Sequence, residues 1–105
     1  MNPKRLLILT AIAFALPAYA DEIPALQLAQ KSNCAACHAV DKKVVGPAWQ
    51  DIGKKYAGDA GAEARLVAKA KKGGAGVWGQ VPMPPNVTVK EADIRTIVQY
   101  ALSLK

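Results

Sequence analysis

The sequence has few residues that could hold a metal ion. Its 105 residues include two cysteines and one histidine, all within "NCAACHAV" at positions 33–40. A structural zinc site takes four ligands, usually as two pairs of cysteine or histidine. Because the chain has no second pair, zinc could bind here only if carboxylates completed the site. This scarcity argues against a zinc protein.

Patterns typical of β-strands are also missing. The sequence shows no regular alternation of apolar and polar residues, no internal repeat and no low-complexity tract. Apolar residues recur instead at helical spacing. The pattern predicts an all-α domain with helices at residues 23–31, 48–58, 60–72 and in the segment that follows residue 88. It argues against a thioredoxin-like redox protein, whose cysteine pair lies beside a βαβ unit.

The last predicted helix has the clearest signals. Thr88 and Glu91 have the T-x-x-E spacing of a capping box, and Asp59 is the predicted N-cap of the preceding helix. Apolar residues then follow the i, i+3, i+4, i+7, i+8 pattern of one helix face: Ile94, Ile97, Val98, Ala101 and Leu102.

The first 20 residues have the composition of a secretory signal peptide. Lys4 and Arg5 precede an apolar stretch at 6–14, and small residues flank position 19. A membrane anchor, the alternative, needs about 20 apolar residues, whereas this stretch is shorter and is interrupted by Pro17. We predict cleavage after Ala20 and export to the periplasm.

Cleavage would leave one domain, residues 21–105, with 12 basic residues against 8 acidic ones. A domain of this size buries a small core and often depends on a disulfide, metal or cofactor. The basic surplus favours acidic partners or a membrane surface. It is too sparse, and has too few interspersed aromatic residues, to indicate nucleic-acid binding.

The C-x-x-C-H motif is an attachment sequence for c-type haem. Cys34 and Cys37 would form thioethers with the porphyrin, and His38 would bind the iron from the same side. Two thiol alternatives remain: a redox pair and a structural disulfide. A disulfide across two residues closes too small a loop to constrain the unfolded chain much. The predicted exported compartment suits haem attachment.

One methionine remains after cleavage. Met83 lies in the Gly- and Pro-rich segment 73–86, between Pro82 and Pro84. It could fill a gap in the core, but core methionines tend to lie on helix faces, whereas prolines stiffen this segment. A stiff loop suits a weak Fe–S bond because less conformational entropy is lost on binding. We therefore predict Met83 as the second iron ligand.

Three segments resemble one family. "CAACHAV", "VVGPAW" and "GVWGQVPMPPN", followed by a C-terminal helix, are similar to the small bacterial class I cytochromes c of the c-551/c-552 type. The resemblance covers residues 22–105. The third segment is the most specific of the three, since the first alone indicates only haem attachment.

The resemblance implies four or five short helices around one covalently bound haem c, with Met83 as distal ligand. It implies that the carbonyl of Pro47 accepts a hydrogen bond from His38, that Trp78 donates to a haem propionate, and that Asn86 hydrogen-bonds near the Met83 sulfur; Asn86 could alternatively be a turn residue. Two positions depart from the family's usual residues. Lys69 stands where relatives often have arginine near a propionate, and Tyr100 where they often have tryptophan.

The expected function is that of a monomeric, soluble periplasmic carrier of single electrons, without enzymatic activity. Nitrite reductase, cytochrome c peroxidase or a terminal oxidase could be its partner. A small haem peroxidase or nitric oxide sensor with an open iron position is the alternative. The expected docking surface is an apolar haem edge at Ala35, Ala36, Val44, Val81, Pro82 and Pro84. Five lysines could surround it, or could merely keep the surface soluble: Lys31, Lys42, Lys43, Lys54 and Lys55.

Overall fold

The computed structural model describes residues 10–12 and 19–104. Its elements are α1 (Tyr19–Lys31), a 3₁₀ turn (Cys34–Ala36), α2 (Trp49–Lys55), α3 (Ala62–Lys72), β1 (Gly74–Gly76), β2 (Gly79–Met83) and α4 (Glu91–Ser103). The predicted helical class is confirmed. Within the described residues, no helix has the length and apolar character needed to span a membrane.

Most of the predicted signal peptide lies outside the described residues. α1 begins at Tyr19, so the predicted cleavage point after Ala20 falls in its first turn. The signal peptide and the boundary at residue 21 stay predictions.

Helix α4 packs against α1 and α2 through one core cluster. Its buried members are Ala25, Ala29, Trp49, Ile97, Tyr100 and Ala101. The rings of Trp49 and Tyr100 meet edge to face, with centroids 6.0 Å apart, an arrangement that aromatic pairs prefer. The hydroxyl of Tyr100 lies 3.3 Å from Oε1 of Glu22; burial, and then the Glu22 carboxylate, raise the pKa of Tyr100. Helices α1 and α2 are therefore both held in place by packing against α4.

A second cluster joins α3 to α4. Val67 on α3 is buried against Ile94 and Val98 on α4. Beside this contact, Nη1 of Arg95 donates to Oε1 of Glu63 at 3.1 Å. Both groups are partly exposed, so the pair adds little stability. Apolar burial is what holds α3 in place.

The expectation of a strand-free chain is wrong in one segment. β1 and β2 form an antiparallel hairpin in which Gly74 pairs with Met83 and Gly76 with Gly79. All three glycines have positive φ, which glycine adopts without a steric penalty. The pairing depends on backbone groups rather than on alternating side chains, so no periodicity in the sequence indicates it.

Both predicted N-caps are wrong. α4 begins after Lys90, and no side chain caps it. Val89 packs against the α3–α4 cluster and Lys90 is extended, so the helix starts later than Thr88. The N-cap of α3 is Gly61, whose N–H donates to Asp59 at 3.0 Å. Asp59 also pairs with Arg65, and these two contacts lower the pKa of its carboxyl group.

Truncating Val67 should destabilise the protein measurably. Its side chain is only 2% exposed, so Val67→Ala removes two buried methyl groups and should lower the free energy of unfolding by about 2 kcal/mol. Chemical denaturation of the haem-loaded protein measures this. Val87 is 81% exposed, and Val87→Ala should change the value by less than about 0.5 kcal/mol. Equal losses in the two variants would contradict this account of the core.

Candidate cofactor-binding site

The C-x-x-C-H segment folds into a tight turn at the wall of a cavity. The backbone N–H groups of Cys37 and His38 both donate to the carbonyl oxygen of Cys34, at 3.1 and 2.9 Å. Asn33 precedes the turn with φ of 61°, a conformation that asparagine tolerates better than most residues. The turn brings both thiols and the imidazole to the same cavity.

A hydrogen bond fixes the orientation of the His38 ring. Its Nδ1 lies 2.7 Å from the carbonyl oxygen of Pro47, the pair that the resemblance implies. Since a carbonyl oxygen can only accept, Nδ1 carries the proton and Nε2 keeps its lone pair. Nε2 is therefore the nitrogen left to bind a metal.

Steric contacts hold the same ring. A Cβ atom at Gly46 would lie 2.6 Å from Cε1 of His38, so only glycine lets the backbone pass this close. The N–H of Gly46 donates to the carbonyl of Cys37 at 2.8 Å, and the ring of Trp49 stacks on His38 at 6.2 Å between centroids. The sequence marks Gly46-Pro47 as a loop and the resemblance links Pro47 to His38, but neither indicates that Gly46 lies against the same ring.

The hairpin contributes Met83 and Trp78. Met83 ends β2 and is half-buried, whereas Trp78 lies in the turn between the strands and is 41% exposed. Both line the cavity that Cys34, Cys37 and His38 line. Nζ of Lys55 lies 5.5 Å from the centroid of the Trp78 ring, a cation–π distance. The hairpin thus brings a thioether and an indole N–H to the site.

Asn86 has a partner that the sequence does not indicate. Its Nδ2 donates to the carbonyl oxygen of Ala70 at 2.8 Å, and its backbone N–H donates to the same oxygen at 3.2 Å. The side chain therefore ties the segment after Met83 to α3. The amide carries a second N–H, and its contact with the Met83 sulfur stays a prediction.

The cavity suits a large flat apolar cofactor with a metal centre. Its donors are the imidazole and thiols of the turn and the thioether of the hairpin, and most other lining residues are apolar. The apolar lining includes Val45, Ile52, Leu66, Val77, Val81, Val89, Ile94, Ile97 and Val98. Lys43 and Lys69 add positive charge at its wall, which suits carboxylates such as the haem propionates. The residues present therefore fit a haem.

Other uses of the two cysteines find less support. In the described part of the chain, no three His, Cys, Asp or Glu side chains come together as zinc ligands do. The thiols are not joined in a disulfide. Burial, with a contribution from the nearby Cys37, raises the pKa of the Cys34 thiol, whereas thiol–disulfide catalysts depend on a lowered pKa.

Comparison with known proteins gives the family. Residues 25–105 match the cytochrome c family. The chain belongs to the cytochrome c family. It is 54% identical to cytochrome c-551 of Allochromatium vinosum over 90% of this chain and 97% of that one. It is 44% identical to cytochrome c-551 of Pseudomonas aeruginosa over the full length of both.

A solved structure shows the same fold. The crystal structure of wild-type Nitrosomonas europaea cytochrome c552 superimposes with a TM-score of 0.74 at 52% identity, over 76% of this chain and 99% of that chain. The predicted class I cytochrome fold of the c-551/c-552 type is therefore confirmed.

Membership of the cytochrome c family establishes the chemistry at a coarse level. The protein carries one covalently attached haem c and transfers electrons between redox partners. It is not an enzyme, so the haem peroxidase alternative is excluded. The two cysteines of the chain both line the cavity described above.

Filling the space at Gly46 should disturb His38. In Gly46→Ala the new methyl group meets the imidazole, and overpacking of this kind costs about 1–3 kcal/mol of unfolding free energy. Denaturation of the haem-loaded variant, with its reduction potential, measures the effect. Gly61→Ala is the control, because the one atom within 3 Å of a Cβ there belongs to the movable end of the Arg65 side chain. If both variants match the wild type in stability and potential, Gly46 does not hold the ring.

Proposed function

We propose that the protein is a periplasmic one-electron carrier with its haem iron held between His38 and Met83. Cys34 and Cys37 would form the thioether bonds. The observation that supports this best is that one cavity is lined by all four side chains, although they come from a turn and a hairpin far apart in the sequence. No other cysteine or histidine exists to compete for these roles.

Bound in this cavity, haem c supplies an iron that cycles between the ferric and ferrous states. The chain's part is to hold that iron and keep other ligands away. His38 binds through Nε2, and its hydrogen bond to Pro47 increases the ligand's basicity and fixes the ring. Met83 gives a weaker sulfur donor, and this pair raises the reduction potential relative to two strong nitrogen donors.

Two bound side chains leave the iron no open position. With His38 and Met83 both bound, substrates and small gases would have no place to coordinate, and the haem would supply electron transfer without bond formation. The apolar lining of the cavity supports the same function, because it excludes water and disfavours the more highly charged oxidised state.

Polar residues at the cavity would complete the site. We place the indole N–H of Trp78 on a haem propionate, since an indole can only donate. Lys69 also lines the cavity and offers a single ammonium charge to the same group. Asn86 would use its remaining amide hydrogen near the Met83 sulfur.

The docking surface would be the exposed edge of the site. Val44 and Val81 are 47% and 67% exposed, and all five predicted docking lysines are exposed. A small apolar patch surrounded by positive charge suits brief encounters with acidic redox proteins. Nitrite reductase, cytochrome c peroxidase or a terminal oxidase would meet the monomer there. The N-terminal signal peptide would direct the protein to the periplasm.

Replacing Met83 should leave one coordination position of the iron open. The wild type should show the weak near-infrared band of sulfur ligation and should bind no carbon monoxide when reduced. Met83→Ala should lose that band, become high-spin when oxidised and bind carbon monoxide rapidly, because nothing occupies the sixth position. Val81→Ala, two residues away on the same strand, should keep the wild-type spectrum. A wild type that is high-spin would refute ligation by Met83.

If the lysines steer charged partners to the docking surface, the rate of electron transfer should depend on ionic strength. Oxidation of the reduced protein by ferricyanide, an anion, should slow as salt rises, because salt screens attraction to the lysines. A cationic cobalt(III) ammine should show the opposite slope. Lys43 lines the cavity, so Lys43→Gln should weaken both slopes more than Lys72→Gln on α3 does. Rates independent of ionic strength would eliminate steering.

A further inference from the structure

The segment that carries Met83 lies directly against the end of α3. Gly73 follows the last residue of that helix, with φ 70° and ψ −167°. A Cβ atom at this position would lie 2.4 Å from the carbonyl oxygen of Met83 and 2.8 Å from the nitrogen of Pro85. Both neighbours are backbone atoms, so neither could move aside as the tip of a flexible side chain does.

Other contacts hold the same segment at both of its ends. At one end, Met83 pairs with Gly74, the second residue after α3. After it, the backbone and side-chain N–H groups of Asn86 both donate to the carbonyl of Ala70 in the last turn of α3. Residues 83–86 are therefore held at one end by Gly74 and at the other by Ala70, and Gly73 lies between these contacts against the backbone of residues 83–85.

This attachment matters because a methionine side chain cannot orient itself. The thioether has no N–H or O–H group, and the side chain has three rotatable bonds. His38 is oriented by a hydrogen bond that its own ring donates, whereas the sulfur of Met83 can donate none and accepts only weakly. The position of the sulfur then depends mainly on where the backbone of residue 83 lies.

We infer that Gly73 is a positioning residue for Met83. Because Gly73 has no side chain, the backbone of residues 83–85 can lie directly against the end of α3. This inference rests on the proposed ligation of iron by Met83. A side chain at position 73 would move the backbone of residues 83–85 away from α3 and would weaken the Fe–S bond, while His38 and the thioether attachments are untouched.

The test compares Gly73→Ala with Gly76→Ala in haem-loaded protein. Gly76 lies in the same hairpin and also has positive φ, of 115°, but a Cβ there meets nothing within 4 Å. The control therefore adds backbone strain without the contact. The readouts are the near-infrared sulfur–iron band, the reduction potential and the affinity of the oxidised iron for added imidazole, which competes with Met83.

Gly73→Ala should weaken or remove the band, lower the potential and raise the affinity for imidazole by roughly tenfold or more, the order by which a side chain forced into a closely packed contact shifts an equilibrium. Gly76→Ala should leave all three readouts close to those of the wild type. Gly73→Asn adds the same Cβ with a different side chain, and is the second variant if Gly73→Ala does not accumulate.

The outcomes separate the inference from the function on which it rests. A wild type without the near-infrared band would overturn ligation by Met83, and the inference with it. A wild-type band that is unchanged in Gly73→Ala, with unchanged affinity for imidazole, would overturn the inference alone. So would equal effects in Gly73→Ala and Gly76→Ala, or unfolding of both position-73 variants, because the position would then act on the fold as a whole.

Discussion

Burial of the apolar faces of α4 is the constraint on which the rest of the structure depends. One part of the helix packs with α1 and α2, and another with α3. Each contact then positions one side of the candidate site. Trp49, the first residue of α2, packs on α4 and also stacks on the ring of His38. α3, held by Val67, ends in the residues that fix the segment with Met83.

The two proposed iron ligands are held in chemically different ways. An imidazole has a second nitrogen, and the structure uses it, since the bond from Nδ1 to Pro47 fixes both the tautomer and the ring direction. A thioether has no hydrogen-bond donor and accepts only weakly, so the position of its sulfur depends mainly on the backbone that carries it. The stiffness of the prolines around Met83 limits the conformations of the segment, and the contacts with Gly73 and Ala70 determine where the segment lies.

The sequence reveals the parts of this site in which chemistry fixes the residue type and spacing. Cys34, Cys37 and His38 can be identified because thioether formation and ligation from one side require those groups in that order. Met83 can be predicted because no other methionine lies in residues 21–105. The family resemblance adds Pro47, whose carbonyl does lie at hydrogen-bond distance from His38. The helical class likewise follows from apolar periodicity.

Contacts between backbone segments that are far apart in the sequence leave no pattern in the residue types. The hairpin forms through glycines that carry no side chain to alternate, so it is invisible to periodicity. Thr88 and Glu91 have the spacing of a capping box, but tertiary contacts of Val89 delay the helix. Gly46 and Gly73 read as ordinary loop glycines, although each is surrounded by atoms that a methyl group would strike. Their role depends on what folds against them, and composition alone cannot reveal that.

Lys69 lines the cavity where relatives often have an arginine. This difference affects how a bound carboxylate would be held. An arginine there could bind a carboxylate through two parallel N–H groups and so fix its position. Lys69 offers one ammonium group on a flexible side chain. It can neutralise the charge of a carboxylate but orients that carboxylate less than an arginine would. Trp78, whose ring centroid lies 5.5 Å from Nζ of Lys55, has fewer rotatable side-chain bonds than a lysine and would direct its single indole N–H more closely. Orientation of a bound propionate would then depend mainly on the hairpin, the same element that carries Met83, and movement of that hairpin would alter both the iron ligand and the charge around the cofactor.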